Sequence, residues 1–149
     1  MRLVVQRVKK ASVKVVPSGE VVGKIGKGLF VLVGVKKGDG LGDAEILANK
    51  LLKLRVMADK KDKMNLSLKD IDGELLVVSQ FTLNADTSAG NRPSFIHAAL
   101  PHEAKKVYDH FVSELKRGLP AGRRVETGSF GDYMEIETIL DGPVTIIYE

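Results

Sequence analysis

The segment VVSQFTLNAD, residues 77–86, joins an apolar strand to side chains that can hydrogen-bond a bound molecule. Ser79, Gln80 and Thr82 place two hydroxyls and an amide around Phe81, where the apolar run ends. Polar side chains inside a buried strand are costly unless they find partners. Strand alternation would divide them between two half-buried faces, whereas a strand end would direct them toward a ligand. We take this segment as the candidate functional site.

A second candidate is the loop AGNRPSF, residues 89–95, which is rich in Gly and Pro and carries Arg92. Such loops position ligands, but they also serve as plain connectors. The usual catalytic signatures G-x-S-x-G, G-x-G-x-x-G, H-E-x-x-H and the P-loop are absent. The segment DKKDKMN, residues 59–65, lacks the ordered carboxylates of a calcium loop. The sequence therefore predicts no metal site.

The composition favours one globular domain covering residues 1–149, with 44% hydrophobic and 28% charged residues. The absence of cysteine excludes disulfides and thiolate chemistry and is consistent with a cytoplasmic location. The chain begins without the apolar core of a signal peptide, and no apolar run approaches the length of a membrane span. The net charge of +4 slightly favours polyanionic binding partners.

Short apolar runs separated by Gly-rich turns predict a β-rich sheet. Residues 2–8 and 12–16 are predicted as two strands joined by residues 9–11. The continuous run GLFVLVGV, residues 28–35, is predicted as a strand that is buried on both faces or lies in a barrel wall. Asp141–Pro143 would then form a hairpin turn, although proline cannot donate to a strand ladder. Further strands are predicted at 21–25, 74–81, 134–140 and 144–148.

Two segments carry helical spacing instead of strand spacing. In the first, apolar residues recur with a helical period after Asp43, which is a plausible N-cap. In the second, Pro101 fits the first helical position and Gly118 fits the position just past the end. Both helices are amphipathic, so each is expected to cover one face of the sheet. The predicted fold class is α+β, with an antiparallel-rich, barrel-like sheet and two helices packed on it.

Five short motifs occur together in an order and spacing typical of one known family. They are QRV (6–8), GKIGKGLFVLVGV (23–35), SQFTL (79–83), RPSF (92–95) and DGPVT (141–145). Each motif alone is weak, but the set is specific because it extends over the whole chain at a matching length. The sequence resembles the bacterial D-aminoacyl-tRNA deacylases from end to end.

The resemblance implies hydrolysis of the ester bond of D-aminoacyl-tRNA with rejection of L-aminoacyl-tRNA. If rejection works by a clash with the L side chain, residual hydrolysis of glycyl-tRNA is also expected, because glycine has no side chain to clash. Ser79, Gln80, Phe81 and Thr82 match the catalytic wall that receives the aminoacyl group and the terminal adenosine of the tRNA. The substrate-binding side is completed by a second set of residues, Arg92, Pro93, Ser94 and Phe95. The family requires no metal and no organic cofactor.

The resemblance also gives the Gly142-Pro143 pair a meaning beyond a turn. Members of the family are homodimers with active sites at the interface, and their Gly-Pro peptide is cis and reaches into the partner's site. Arg7 matches the arginine that orients this segment. A cis bond before proline costs only about 0.5–1 kcal/mol relative to trans, and glycine permits close backbone approach to a ligand. Gly142, Pro143 and Arg7 are therefore expected to bind substrate and to exclude L-amino acids.

Two mechanisms are compatible with the residues. Either Thr82 or Ser79 attacks the ester and forms a covalent intermediate, or water attacks with assistance from the 2′-hydroxyl of the terminal ribose. The sequence offers no Ser–His pair, so we favour the second mechanism, with backbone N–H groups near Phe81 and Thr82 as the oxyanion hole.

Two rival functions belong to other classes. A non-catalytic RNA-binding barrel would need aromatic stacking platforms, yet aromatic residues are only 5% of the chain and tryptophan is absent. A purely structural dimer locked by the Gly142-Pro143 segment is the other rival.

Overall fold

The computed structural model describes all residues, 1–149, as eight strands and two helices. The helices are α1, Leu41–Leu52, and α2, Pro101–Gly118. Two short 3₁₀ turns, Lys69–Ile71 and Phe81–Asn84, lie between the longer elements. The strands are β1 Arg2–Val15, β2 Val21–Ile25, β3 Gly28–Gly34, β4 Met57–Ala58, β5 Met64–Leu66, β6 Glu74–Ser79, β7 Val125–Thr127 and β8 Met134–Tyr148.

The main sheet has six strands in the order β2-β1-β3-β6-β7, and β8 pairs with β1 on its other edge. The pairs of β1 with β2, β3 and β8 are antiparallel, whereas β3 with β6 and β6 with β7 are parallel. The sheet is nearly closed and barrel-like, and both helices pack against it. The predicted α+β class is confirmed, with the addition that the sheet is mixed.

Strand β1 differs from the prediction, because residues 2–15 form one continuous strand instead of two. Its first half pairs with β3 and its second half with β2, while β8 runs along its whole length. Pairing with β8 at Lys10 and Ala11, joined by β2 from Ala11 onward, therefore carries the strand through residues 9–11, which local sequence predicts as a connection.

The predicted hairpin at Asp141–Pro143 is wrong, because residues 134–148 form a single strand. The β1–β8 register shifts between Val8, which pairs with Leu140, and Gln6, which pairs with Thr145. The intervening residues of β8 therefore bulge out opposite β1. A bulge is one of the few places in a sheet that tolerate a proline, since residues there leave the hydrogen-bonded ladder.

The helices pack on each other and on one face of the sheet, over a core of 24 buried residues. Phe111 of α2 has no exposed surface and lies at the centre of this core. On the other face, Phe30 and Leu76 belong to a second cluster of seven buried residues. Side chains of β3 and β6 thus alternate between two apolar clusters, which confirms that the run at 28–35 is buried on both faces.

A buried tyrosine ties α2 to the sheet. The Tyr108 hydroxyl donates to the carbonyl oxygen of Val77 in β6 at 2.8 Å. Burial raises the pKa of the Tyr108 phenol far above its usual value, so it remains a hydrogen-bond donor. The helix that lies beside the end of β6 is thereby fixed in position.

The helix ends agree with the sequence to within a few residues. Helix α1 begins after Gly40, and the Asp43 carboxylate accepts the Gly40 N–H at 2.8 Å, so Asp43 supports the cap without being the N-cap. Helix α2 begins at Pro101 as predicted, and Gly118 is its last residue. Neither helix combines the length and the apolar composition that crossing a membrane requires.

Candidate active site

A cavity of about 840 Å³ opens beside the C-terminal end of β6. Its walls come from the ends of β3 and β6, from the Phe81–Asn84 turn, from residues within 95–104 at the start of α2, and from residues within 130–136. Most of its lining residues are hydrophobic. A concave, mainly apolar cavity with a few polar groups is the usual form of a small-molecule site.

The four residues predicted as catalytic all line this cavity. Ser79 is the last residue of β6, and the Gln80 N–H donates to the carbonyl oxygen of Val33 at 2.8 Å, which ends the strand against β3. The chain then turns into the 3₁₀ segment that begins at Phe81. The amide of Gln80 donates to the hydroxyl of Thr82. The polar residues therefore lie at the end of β6 and line a cavity, and their catalytic role stays a prediction.

Aromatic rings form one side of the cavity mouth. Phe81 is 55% exposed and meets Phe95 edge to face, with ring centroids 5.1 Å apart. Across the mouth, Tyr133 is 77% exposed. Exposed aromatic rings around a cavity mark a place where a ligand or another protein binds.

Only one residue of the predicted RPSF motif lines the cavity, and it is Phe95. The backbones of Asp86 and Ser94 pair through two hydrogen bonds of 2.8 and 2.9 Å, which closes the loop between them. The Ser88 hydroxyl and N–H donate to the Asp86 carboxylate, and these bonds lower its pKa. Arg92 and Pro93 are exposed on this loop and lie outside the lining.

The Gly142-Pro143 segment does not line the cavity of its own chain. Its peptide bond is cis, as the resemblance implied. The Arg7 guanidinium donates to the carbonyl oxygen of Asp141 at 3.0 Å and to that of Val56 at 2.7 Å. Arg7 therefore fixes the start of the bulge, while Gly142 and Pro143 remain exposed.

Sequence reasoning missed the cavity wall formed by residues 130–136. Phe130 and Tyr133 lie in a Gly-rich segment without strand or helix periodicity. Lys37 was also missed, and it is the only cationic side chain that lines the cavity. The one signal available for the 130–136 wall was a pair of aromatic residues within a glycine-rich loop.

The electrostatics of the site are simple. Asp132 is the only carboxylate in the lining, and the Ser129 hydroxyl donates to it. His97 lies outside the lining and faces Asp86, with its Nε2 3.6 Å from a carboxylate oxygen. No group of three or more His, Asp or Glu side chains is arranged to hold a metal ion.

Comparison with known proteins identifies the family. The sequence model for D-Tyr-tRNA(Tyr) deacylase matches residues 4–149. A D-aminoacyl-tRNA deacylase of Thermosipho melanesiensis is 51% identical over 149 residues, which is 100% of this chain and 97% of the relative. A solved structure described as c-Myc DNA Unwinding Element Binding Protein is 39% identical, with a TM-score of 0.92 over 100% of this chain and 98% of its own.

A more distant structure, described as a probable eukaryotic D-amino acid tRNA deacylase, shares only 16% identity with this protein. Its TM-score is nevertheless 0.81, over 99% of this chain and 97% of its own. The two proteins therefore share a fold although their sequences are only weakly similar. The matches over the full length of the sequence show that the chain belongs to the D-Tyr-tRNA(Tyr) deacylase family.

Proposed function

We propose that this protein hydrolyses the ester joining a D-amino acid to the 3′-terminal ribose of tRNA, and that it rejects L-aminoacyl-tRNA. As a member of the family it is an ester-hydrolysing enzyme. The observation that carries the proposal is the cavity at the end of β6, because Ser79, Gln80, Phe81 and Thr82 all line it. Action on aminoacyl-tRNA would place the protein in the cytoplasm.

The size and lining of the cavity fit the end of an aminoacyl-tRNA. A volume of about 840 Å³ is within the roughly 300–1,000 Å³ typical of ligand sites, and it suits an adenosine with an attached amino acid. The aromatic rings of Phe81 and Phe95 suit the flat face of a purine. Polar groups at the strand end then lie where the ester would be.

The chemistry we propose is attack by water, with the 2′-hydroxyl of the substrate's ribose assisting the proton transfer. The Thr82 hydroxyl accepts a hydrogen bond from the Gln80 amide, and no histidine lines the cavity beside it. Asp132 comes from a different segment of the lining, residues 130–136, and its carboxylate accepts a hydrogen bond from the Ser129 hydroxyl. A side-chain nucleophile would need a base within hydrogen-bond reach, so positioning of the substrate is left as the protein's main contribution.

The oxyanion formed by water attack needs hydrogen-bond donors. Phe81 and Thr82 are the first two residues of the 3₁₀ turn, and the first N–H groups of a helical turn have no partner inside it. We assign these two N–H groups to the developing charge. Removal of one such donor in other hydrolases costs about 10²–10³ in rate.

This mechanism predicts that neither the Ser79 nor the Thr82 hydroxyl is the nucleophile. Thr82→Ala and Ser79→Ala should each retain at least about 1% of turnover, whereas loss of a true serine nucleophile costs on the order of 10⁶-fold. Single-turnover hydrolysis of D-tyrosyl-tRNA measures the effect. Trapping of a covalent aminoacyl-enzyme on either residue in the wild-type protein would overturn the mechanism.

We further propose that two subunits combine to form each site, with the partner subunit's Gly142 and Pro143 closing the cavity. These residues are exposed in one chain and lie outside its own cavity. Ile139, Leu140 and Ile147 of the same strand are also exposed, and Ile147 is 61% exposed. Exposed apolar side chains grouped on one strand indicate a protein contact. Sedimentation should give twice the chain mass of 16.2 kDa.

Selectivity in this arrangement arises by exclusion. A rigid backbone wall would occupy the space that an L side chain needs, and glycine has no side chain to collide with it. We therefore expect residual cleavage of glycyl-tRNA together with cleavage of D-aminoacyl-tRNA. Complete inertness toward glycyl-tRNA, at enzyme concentrations that rapidly cleave D-tyrosyl-tRNA, would instead indicate a pocket that recognises the D side chain.

The direct test of the proposed function compares hydrolysis of D-tyrosyl-tRNA and L-tyrosyl-tRNA. We expect rapid cleavage of the first and none of the second at equal enzyme concentration. A nucleic-acid-binding module would bind both without cleaving either, and a structural dimer would neither bind nor cleave. Either of these results would refute the proposal.

A further inference from the structure

A second groove runs along α2 and continues from the cavity. It lies between α2 and residues 127–130, and it has a volume of about 580 Å³. Phe130 lines both the cavity and this groove, so the two are neighbours across one side chain. We call it the α2 groove, and nothing in the proposed reaction uses it.

The α2 groove is polar where the cavity is apolar. Lys105 and Lys116 line it from positions eleven residues apart on α2, and the lining also includes the hydroxyl-bearing Ser113 of α2 and Thr127 of β7. Hydroxyls and lysines are the groups that proteins commonly offer to phosphate oxygens. The lining therefore suits a polyanion better than an apolar ligand.

The charges of the groove favour an anion. Asp109 is the only carboxylate in the lining, and Lys105 holds it at 2.6 Å in an exposed pair four residues apart on the helix. Exposed ion pairs of this kind contribute little to stability. Lys105 can therefore exchange the Asp109 carboxylate for a phosphate of a bound polyanion. Lys116 is exposed and makes no ion pair. Its positive charge is therefore fully available to a partner.

The position of Lys105 connects the two spaces. Its ammonium lies 5.9 Å from the centre of the Phe130 ring, at the boundary between the cavity and the α2 groove. Eleven residues separate it from Lys116 on one helix, which corresponds to about 16 Å at 1.5 Å per residue. That distance covers on the order of four or five stacked nucleotides at 3.4 Å each.

We propose that the α2 groove binds the unpaired 3′ strand of the tRNA, just before the terminal adenosine that enters the cavity. This inference rests on the proposed function, which puts the terminal adenosine in the cavity. A strand leaving the cavity past Phe130 enters the groove directly, and its phosphates meet first Lys105 and then Lys116. The two lysines act as binding residues and have no part in the chemistry.

Binding of uncharged RNA tests this inference without any catalytic step. The probes are an RNA hairpin with the four unpaired nucleotides of a tRNA 3′ end and the same hairpin with a blunt end. For the double variant Lys105→Gln/Lys116→Gln, we expect the Kd of the tailed hairpin to rise about tenfold or more at low salt. The slope of log Kd against log salt should fall by about 1.4, since each single-strand contact contributes about 0.7.

The matched control is Lys60→Gln/Lys61→Gln, which removes the same charge from a turn that lines neither the cavity nor the groove. Equal effects of the two double variants would overturn the inference, as would equal losses for the tailed and the blunt hairpin. Circular dichroism checks that each variant is folded. Hydrolysis of D-tyrosyl-tRNA by the wild-type protein tests the proposed function separately, so the two failures are distinguishable.

Discussion

Gly142→Ala should lower D-aminoacyl-tRNA hydrolysis by about 100-fold, because it displaces the segment that we assign to the partner's site. Gly142 has a φ of +135°, which side-chain-bearing residues rarely adopt. An added Cβ would lie 2.9 Å from the backbone nitrogen of Val144 and 3.4 Å from a guanidinium nitrogen of Arg7. The backbone of the bulge must therefore move, and its exposed carbonyls must move with it.

The variant should remain folded, because the bulge is exposed and strain of this kind costs on the order of 1–3 kcal/mol, less than the roughly 5–15 kcal/mol that stabilises a typical folded protein. The matched control is Gly19→Ala, at a φ of +70° in a turn where an added Cβ meets no atom within 4 Å. The measurement is kcat/KM for D- and L-tyrosyl-tRNA, with circular dichroism and sedimentation on each variant. If Gly142→Ala keeps the activity and the D/L preference of Gly19→Ala, the bulge forms no part of the site.

Phe111→Ala should produce the largest loss of stability, about 3–5 kcal/mol of the free energy of unfolding. The side chain has no exposed surface and belongs to the 24-residue core beneath both helices. Its removal leaves a cavity that the surrounding side chains fill only in part. With about 2–4 °C per kcal/mol for a chain of this size, the Tm should fall by about 6–20 °C.

The comparison for this prediction is Tyr133→Ala, which also truncates an aromatic ring. Tyr133 is 77% exposed at the cavity mouth, so its truncation should change the free energy of unfolding by no more than about 0.5 kcal/mol. Thermal unfolding followed by circular dichroism, at one protein concentration, measures both. Equal losses for the two variants would show that the ring of Phe111 does not hold the core together.

The elements that the sequence predicts well are those decided by local pattern. The continuous apolar run at 28–35 is typical of a strand buried on both faces or in a barrel wall, and β3 is buried on both faces. Pro101 and the apolar stripe that follows it predict helix α2. The polar residues Ser79–Thr82 after an apolar strand likewise predict a strand end that faces a cavity.

The features that the sequence predicts poorly depend on distant partners. Asp-Gly-Pro at 141–143 satisfies the local rules of a turn, but pairing with β1 on both sides converts it into a bulge. Residues 9–11 contain two adjacent lysines, yet β1 continues through them because Lys10 and Ala11 pair with β8. In the RPSF motif, Phe95 lines the cavity, whereas Arg92 and Pro93 do not. No local pattern distinguishes these cases.

The pairing of β1 with β8 has a consequence for the order in which the protein is assembled during synthesis. Leu3 pairs with Tyr148, so β1 acquires its neighbour on that edge only after β8, more than 100 residues later in the chain, has been synthesised. Until then, β1 presents an open edge to other chains in the cell, which is a risk for wrong pairing. Arg7 can donate to the carbonyl oxygen of Asp141 only once β8 is present. The bulge therefore forms only after β8 has been made, and a product that ends before residue 134 lacks that segment altogether.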